Sequence, residues 1–150
     1  MKKRGFIYGL LVAGILFMMF RFSGQNTDVS NGLSGWLAER ILSVFKPGYT
    51  GSELETLNFV VRKIAHFVLY TLLGIGLAGL IRNVHPKRAL LIVMVLGVLA
   101  AVLDESHQYF VQGRNASVYD VLLDSCGVLT GGLAFQLTAG LWSRRKNRRQ

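Results

Sequence analysis

The sequence predicts an all-α integral membrane protein with four transmembrane helices and a short extracytoplasmic amphipathic helix. Three observations carry this expectation. Of the 150 residues, 51% are hydrophobic, and the mean hydropathy is +0.40. The runs Gly5–Phe20, Ile64–Ile81, Ala89–Leu103 and Val121–Trp142 approach bilayer length, given that a spanning helix needs about 20 mostly apolar residues. Helices of a soluble bundle would show one apolar stripe and one charged face, whereas these runs are apolar all round. Charge supplies the third observation. Lys2, Lys3 and Arg4 precede the first run, Arg82, Lys87 and Arg88 link the second and third, and Arg144, Arg145, Lys146, Arg148 and Arg149 follow the fourth. Four crossings bring these groups to one side, which the positive-inside rule makes cytoplasmic. All eight acids, Asp28, Glu39, Glu53, Glu55, Asp104, Glu105, Asp120 and Asp124, fall on the other. The net charge of +9 therefore reads as topology and anionic-lipid contact, not as nucleic-acid binding.

The chain divides into an N-terminal transmembrane anchor (1–22), an extracytoplasmic loop with an interfacial helix (23–58), a three-helix core (59–143) and a basic cytoplasmic tail (144–150). The anchor resembles a signal peptide, with a basic start and the small residues Ser23-Gly24, but no clear A-x-A site follows it. In the loop, Leu33, Trp36, Leu37, Ile41, Val44 and Phe45 recur at helical spacing. That pattern fits a helix lying on the outer membrane surface or one packed over the bundle. Lys46-Pro47-Gly48 ends it.

Ser52 and Glu55 then fit a capping box, starting a helix that runs to Ile81. Arg62, His66 and Tyr70 stand at i, i+4 and i+8 and form one stripe. Gly74, Gly76 and Gly79 permit close helix contact below it. In the third run Gly97, Ala101, Asp104 or Glu105, and Gln108 share a face that should be buried. Carboxylates at a helix C-terminus oppose its dipole and need partners or a cation. After the Val111–Ser117 linker, Ser117 and Asp120 fit a second capping box, and Asp124 lies one turn deeper, above Gly127 and Gly131. The single cysteine, Cys126, has no disulfide or metal-ligand partner.

Ionisable residues inside a membrane protein mark a functional site by default. Here Arg62, Lys63, His66, Tyr70, Asp104, Glu105, His107, Gln108, Arg114, Asp120 and Asp124 gather at the outer side. Three roles stay open. The charges can pair to lock the bundle, with Arg62 or Lys63 on Asp124. They can form an enzyme site for a lipid or lipid-linked head group, a transferase or hydrolase. In that case His66, Glu105 and Asp120 are the catalytic candidates. Arg62, Lys63, Tyr70, Gln108, Arg114 and Asp124 would bind substrate, and a divalent cation would fall to Asp104, Glu105, Asp120 or Asp124. A proton or ion path is disfavoured, because nothing ionisable lies between Tyr70 and Arg82 or between Arg88 and Asp104. No G-x-S-x-G, H-E-x-x-H or P-loop motif occurs.

Taken together, Arg62-Lys63-x-x-His66-x-x-x-Tyr70 and Glu105-x-x-Gln108-x-Phe110-x-x-x-Arg114, followed by Asp120 and Gly127, resemble the VanZ-like family. The resemblance covers about Arg62 to Leu133. The family usually shows Asn one turn after the Asp, where this chain has Asp124. The resemblance implies a small four-helix protein of the bacterial cytoplasmic membrane, both termini cytoplasmic. It implies an effect on the cell envelope, since the family's namesake is linked to teicoplanin resistance. Membrane lipids and a lipid-linked cell-wall precursor are the partners it suggests. The alternative is a non-catalytic module that binds a lipid, a glycopeptide or a partner protein.

Overall fold

The computed structural model describes residues 2–24, 27–82, 84–111 and 116–147, with side chains described at 5–24, 32–82, 84–111 and 116–142. The described residues form five helices: α1 (Lys2–Ser23), α2 (Thr27–Phe45), α3 (Gly51–Ile81), α4 (Ala89–Tyr109) and α5 (Val118–Asn147). Of these, α1, α3, α4 and α5 are long and apolar enough to cross a membrane. The chain is thus an all-helical multi-pass membrane protein, as the four apolar runs predict.

Contacts between helix ends fix the topology. The Tyr8 ring near the start of α1 meets Phe135 near the end of α5, with centroids 5.7 Å apart, and a Cβ on Gly79 at the end of α3 would run into the same Tyr8 ring at 2.5 Å. At the other end of α1, Ser23 bonds Asp104 near the end of α4. The first and last helices therefore share one end of the bundle with the α3–α4 turn. The opposite end, here the distal end, carries α2, the end of α4 and the start of α5.

Glycine sets the spacing between the spanning helices. A Cβ on Gly74 of α3 would collide with the Val128 carbonyl of α5. One on Gly131 would collide with the Thr71 carbonyl, and one on Gly127 would come within 2.8 Å of the Phe67 carbonyl. So α3 and α5 meet backbone to backbone along a small-residue seam, which in lipid gains packing that larger side chains would block. Gly97 of α4 leaves room for the Val128 side chain in the same way. On the other face of α3, Gly76 receives Val12 of α1 at 2.8 Å from the missing Cβ. The core between these helices holds Ile15, Met19, Tyr70, Leu73, Leu77, Ala78, Val93, Ala101 and Val128. Large apolar side chains such as Leu91, Leu103, Leu137 and Trp142 point outward, the reverse of a water-soluble bundle and the expected dress of a lipid-facing surface.

Two caps differ from the sequence reading. The capping box of α3 uses Thr50 and Glu53, not Ser52 and Glu55: Glu53 N–H reaches Thr50 Oγ1 at 3.4 Å, and Thr50 N–H donates to Glu53 Oε2 at 2.9 Å. The helix starts two residues earlier because Gly48, at φ +86°, completes the turn out of α2 and Lys46 anchors Glu53 across it. At the start of α5, Ser117 is not served by Asp120. Its N–H donates instead to Glu105 Oε1 of α4 at 2.6 Å, which frees Asp120 for a different partner.

Helix α2 packs on α3 and also leaves an apolar face open. Ala38 is buried, while Leu33, Trp36, Leu37, Val44 and Phe45 are exposed.

Candidate functional site

The distal ends of α3, α4 and α5 bring their polar residues together because one helical stripe from each faces the bundle axis. On α3 the stripe His66, Tyr70 and Gly74 descends at four-residue intervals, and Tyr70 is completely buried. On α4 the buried face runs Val93, Gly97, Ala101, Asp104, Glu105 and Gln108. On α5, Asp120 and Asp124 stand above Gly127 and Val128, with Asp124 at 1% exposure. The glycine seam just below draws α3 and α5 close, so these carboxylates are desolvated although they lie near a helix end.

Within the cluster the partners are specific. His66 Nδ1 lies 3.6 Å from Asp124 Oδ2. Lys63 pairs with Asp120, and its ammonium sits 5.0 Å from the Phe59 ring centroid. Sequence reasoning left Arg62 or Lys63 as the partner of Asp124. The structure gives that place to His66, because Lys63 stands one helical turn nearer the distal end, level with Asp120. Asp104 is held from two sides. Ser23 Oγ donates to its Oδ1 at 2.5 Å, and Gln108 Nε2 donates to its Oδ2 at 3.1 Å. Gln108 Nε2 also lies 3.3 Å from Ser23 Oγ, closing a three-residue network. Glu105 Oε1 is taken by the Ser117 N–H.

Three buried polar atoms here have no hydrogen-bond partner among the described residues: Tyr70 Oη, Glu105 Oε2 and Asp124 Oδ1. The Tyr70 hydroxyl lies in the field of Asp104, Asp124 and Glu105. Orphaned atoms of this kind are rare in native proteins and ask for a missing water, ion or ligand. One ligand atom each from His66, Asp104 and Asp124 lies within 4.8 Å of the others. Most of the cluster is enclosed. Asp104, Glu105, Gln108 and Asp124 are buried. His66, Lys63 and Asp120 keep 26%, 30% and 20% of their side-chain surface and form its accessible rim. An apolar groove lined by Leu42, Lys46, Ser52, Leu57 and Val60 lies apart, between α2 and α3.

Most of the residues singled out from sequence thus converge: His66, Tyr70, Asp104, Glu105, Gln108 and Asp124 inside, Lys63 and Asp120 at the rim. Arg62 is half-buried and makes no ion pair among the described residues. Arg114 lies outside the described residues. His107 faces another way, stacked on Phe20 of α1 at 4.8 Å between centroids. Sequence reasoning missed Ser23, which it noted only as a small residue at the end of a signal-like anchor. The available signal was the one serine of α1, four residues after Met19 and eight after Ile15 on the same face.

In chemical terms, a histidine beside a carboxylate can hold and move a proton, and two carboxylates with an imidazole can ligate a cation. Comparison with curated proteins and with solved structures gives no match. A family model described as VanZ/LLP1 matches residues 6–139. That span takes in every residue of the cluster and the α1 serine that braces it, so the chain belongs to the VanZ-like family of membrane proteins.

Proposed function

We propose that this VanZ-like protein acts on the phosphate-bearing head group of a phospholipid or polyprenyl-linked lipid at the distal leaflet. The observation that carries this reading is the convergence of His66, Asp104 and Asp124 from three spanning helices at that end of the bundle. The distal end is the extracytoplasmic one on the positive-inside rule, because the three basic groups lie at the other end. With that orientation both termini would lie in the cytoplasm of a bacterial cell.

An amphiphile in this leaflet would bring its head group to the rim while its chains stay among the outward-facing apolar side chains. Arg62, which makes no ion pair among the described residues, offers the positive charge a phosphate needs. His66, the partly exposed member, is placed to take a proton from an attacking water or hydroxyl. It would return that proton to the oxygen of the leaving group as the new P–O bond forms and the old one breaks. Asp124 would fix the imidazole's orientation and stabilise its protonated form, as the carboxylate of a hydrolytic triad does. Glu105 and Asp120 support the entrance of α5 through Ser117 and Lys63. A change in a lipid-linked wall precursor is the route by which such an activity would alter glycopeptide tolerance.

Lipid mass spectrometry on membranes from cells with wild type, no protein, or His66→Gln tests this. A lipid species that changes with wild type alone, with His66→Gln present at the same level, supports the reading. Identical lipid profiles in all three rule it out. Teicoplanin susceptibility measured on the same strains asks whether the lipid change reaches the phenotype.

A further inference from the structure

The cluster holds more negative charge than the chain neutralises. When both are ionised, as they are in ligating a cation, Asp104 and Asp124 set two negative charges against a neutral or singly charged His66. Lys63 is already paired with Asp120, and Arg62 makes no ion pair among the described residues. Hydrogen bonds from Ser23 and Gln108 orient Asp104 but carry no charge. Two unpartnered atoms point to something further in this space. Tyr70 is fully buried with Oη unbonded, and Asp124 is 1% exposed with Oδ1 unbonded. In the bilayer each such group costs several kcal/mol unless it is satisfied. A water could take their hydrogen bonds, but it would leave the charge.

We propose that His66, Asp104 and Asp124 hold a divalent transition-metal ion, with the Tyr70 hydroxyl beside it. The donor set is one imidazole nitrogen and two carboxylate oxygens, which favours Zn²⁺ or Mn²⁺ over the all-oxygen preferences of Ca²⁺ and Mg²⁺. A tetrahedral ion with bonds of about 2.0–2.1 Å sets its ligands about 3.4 Å apart. The His66–Asp124 separation of 3.6 Å is already close to that. The other ligand-atom separations are at most 4.8 Å. Ser23 and Gln108 form the outer shell that holds one ligand in position, as metal sites require. A tetrahedral ion with three protein ligands keeps one further coordination position, and His66 is the ligand whose side chain stays 26% exposed. The inference rests on the head-group reading only for what the ion would meet there, a phosphate oxygen, and not for whether the ion binds; with the ion bound, His66 and Asp124 serve as its ligands in place of the proton-transfer pair described above.

The test uses the full-length protein in detergent or nanodiscs, purified through a handle without histidine. Protein stripped with chelator is titrated with Zn²⁺ and Mn²⁺, with Mg²⁺ and Ca²⁺ as comparators. Bound metal is counted by mass spectrometry after gel filtration, and the thermal midpoint is followed in parallel. The expected result is about one Zn²⁺ or Mn²⁺ per chain, with a midpoint that rises with metal concentration. His66→Ala and Asp124→Asn should abolish stoichiometric binding, and Gln108→Leu should weaken it by about 10–100-fold. Cys126→Ser should bind as wild type does, which separates the site from adventitious thiol capture.

Folded wild type that takes up neither ion overturns the inference, whatever the variants do. So does binding unchanged in both His66→Ala and Asp124→Asn. A protein-dependent lipid change in cells whose purified protein binds no metal overturns the ion and keeps the head-group reading. One bound ion without any lipid change supports the ion and removes that reading.

Discussion

The Ser23 hydroxyl donates to Asp104 Oδ1 at 2.5 Å, although the residues stand 81 positions apart. This bond fastens the distal end of α1 to the polar cluster of the other three spanning helices. It also fixes the carboxylate that Gln108 holds from the other side. The first helix is therefore part of the site's architecture and not only an anchor.

Ser23→Ala should show this. It leaves a buried carboxylate oxygen without its donor, a loss of about 1–3 kcal/mol, and the thermal midpoint in detergent should fall. Ser125→Ala is the control, because its hydroxyl only returns to the Val121 carbonyl of its own helix. An equal fall in both variants would mean that the Ser23–Asp104 bond contributes nothing particular.

The α3–α5 seam gives a second contrast. Gly131→Ala puts a methyl group into the Thr71 carbonyl, and Gly127→Ala brings one within 2.8 Å of the Phe67 carbonyl. Backbone cannot yield as a flexible side chain can, so each change should cost about 1–3 kcal/mol or more. Gly14→Ala, with nothing within 4 Å of the added atom, should be neutral or slightly stabilising, since Ala is the better helix former by roughly 1 kcal/mol. Melting curves of the three variants check the order. Gly131→Ala as stable as Gly14→Ala would show that the helices do not meet there.

Periodicity made the helices legible, together with much of the cluster. Runs apolar on all sides gave the four spans, and four-residue spacing gave the stripe His66–Tyr70 and the buried α4 face to Gln108. Pairing was not legible, because a stripe shows which residues share a face but not which neighbouring helix that face meets. Lys63 found Asp120 and His66 found Asp124 through the register between α3 and α5, and the glycine contacts set that register. Ser23 was hidden for a related reason. A single serine in an apolar helix gains meaning only from the carboxylate opposite it. The α3 cap was misread by two residues because Ser52-x-x-Glu55 and Thr50-x-x-Glu53 satisfy the same pattern, and only the turn at Gly48 separates them.

The Lys63–Asp120 pair at the rim keeps part of its surface in solvent, which limits its worth. A double-mutant cycle with Lys63→Met and Asp120→Asn should return a coupling of about 0.2–1 kcal/mol. It should shrink with added salt, as partly exposed pairs do. A coupling several times larger, insensitive to salt, would place the pair in the dry interior and contradict the rim assignment.

The open apolar face of α2 leads to a prediction about depth. Leu33, Trp36, Leu37 and Val44 project away from the bundle, while Arg40 folds its guanidinium back over the Trp36 ring at 5.7 Å from the centroid. An aromatic ring under a charged group, beside exposed leucines, suits the boundary between head groups and acyl chains. The chain has two tryptophans, so Trp142→Phe leaves Trp36 as the sole reporter. In vesicles its fluorescence should be quenched by lipids brominated near the head-group end of the acyl chain and protected from aqueous iodide. Strong iodide quenching without bromine quenching would place α2 in water above the bundle, and the exposed leucines would then need another partner.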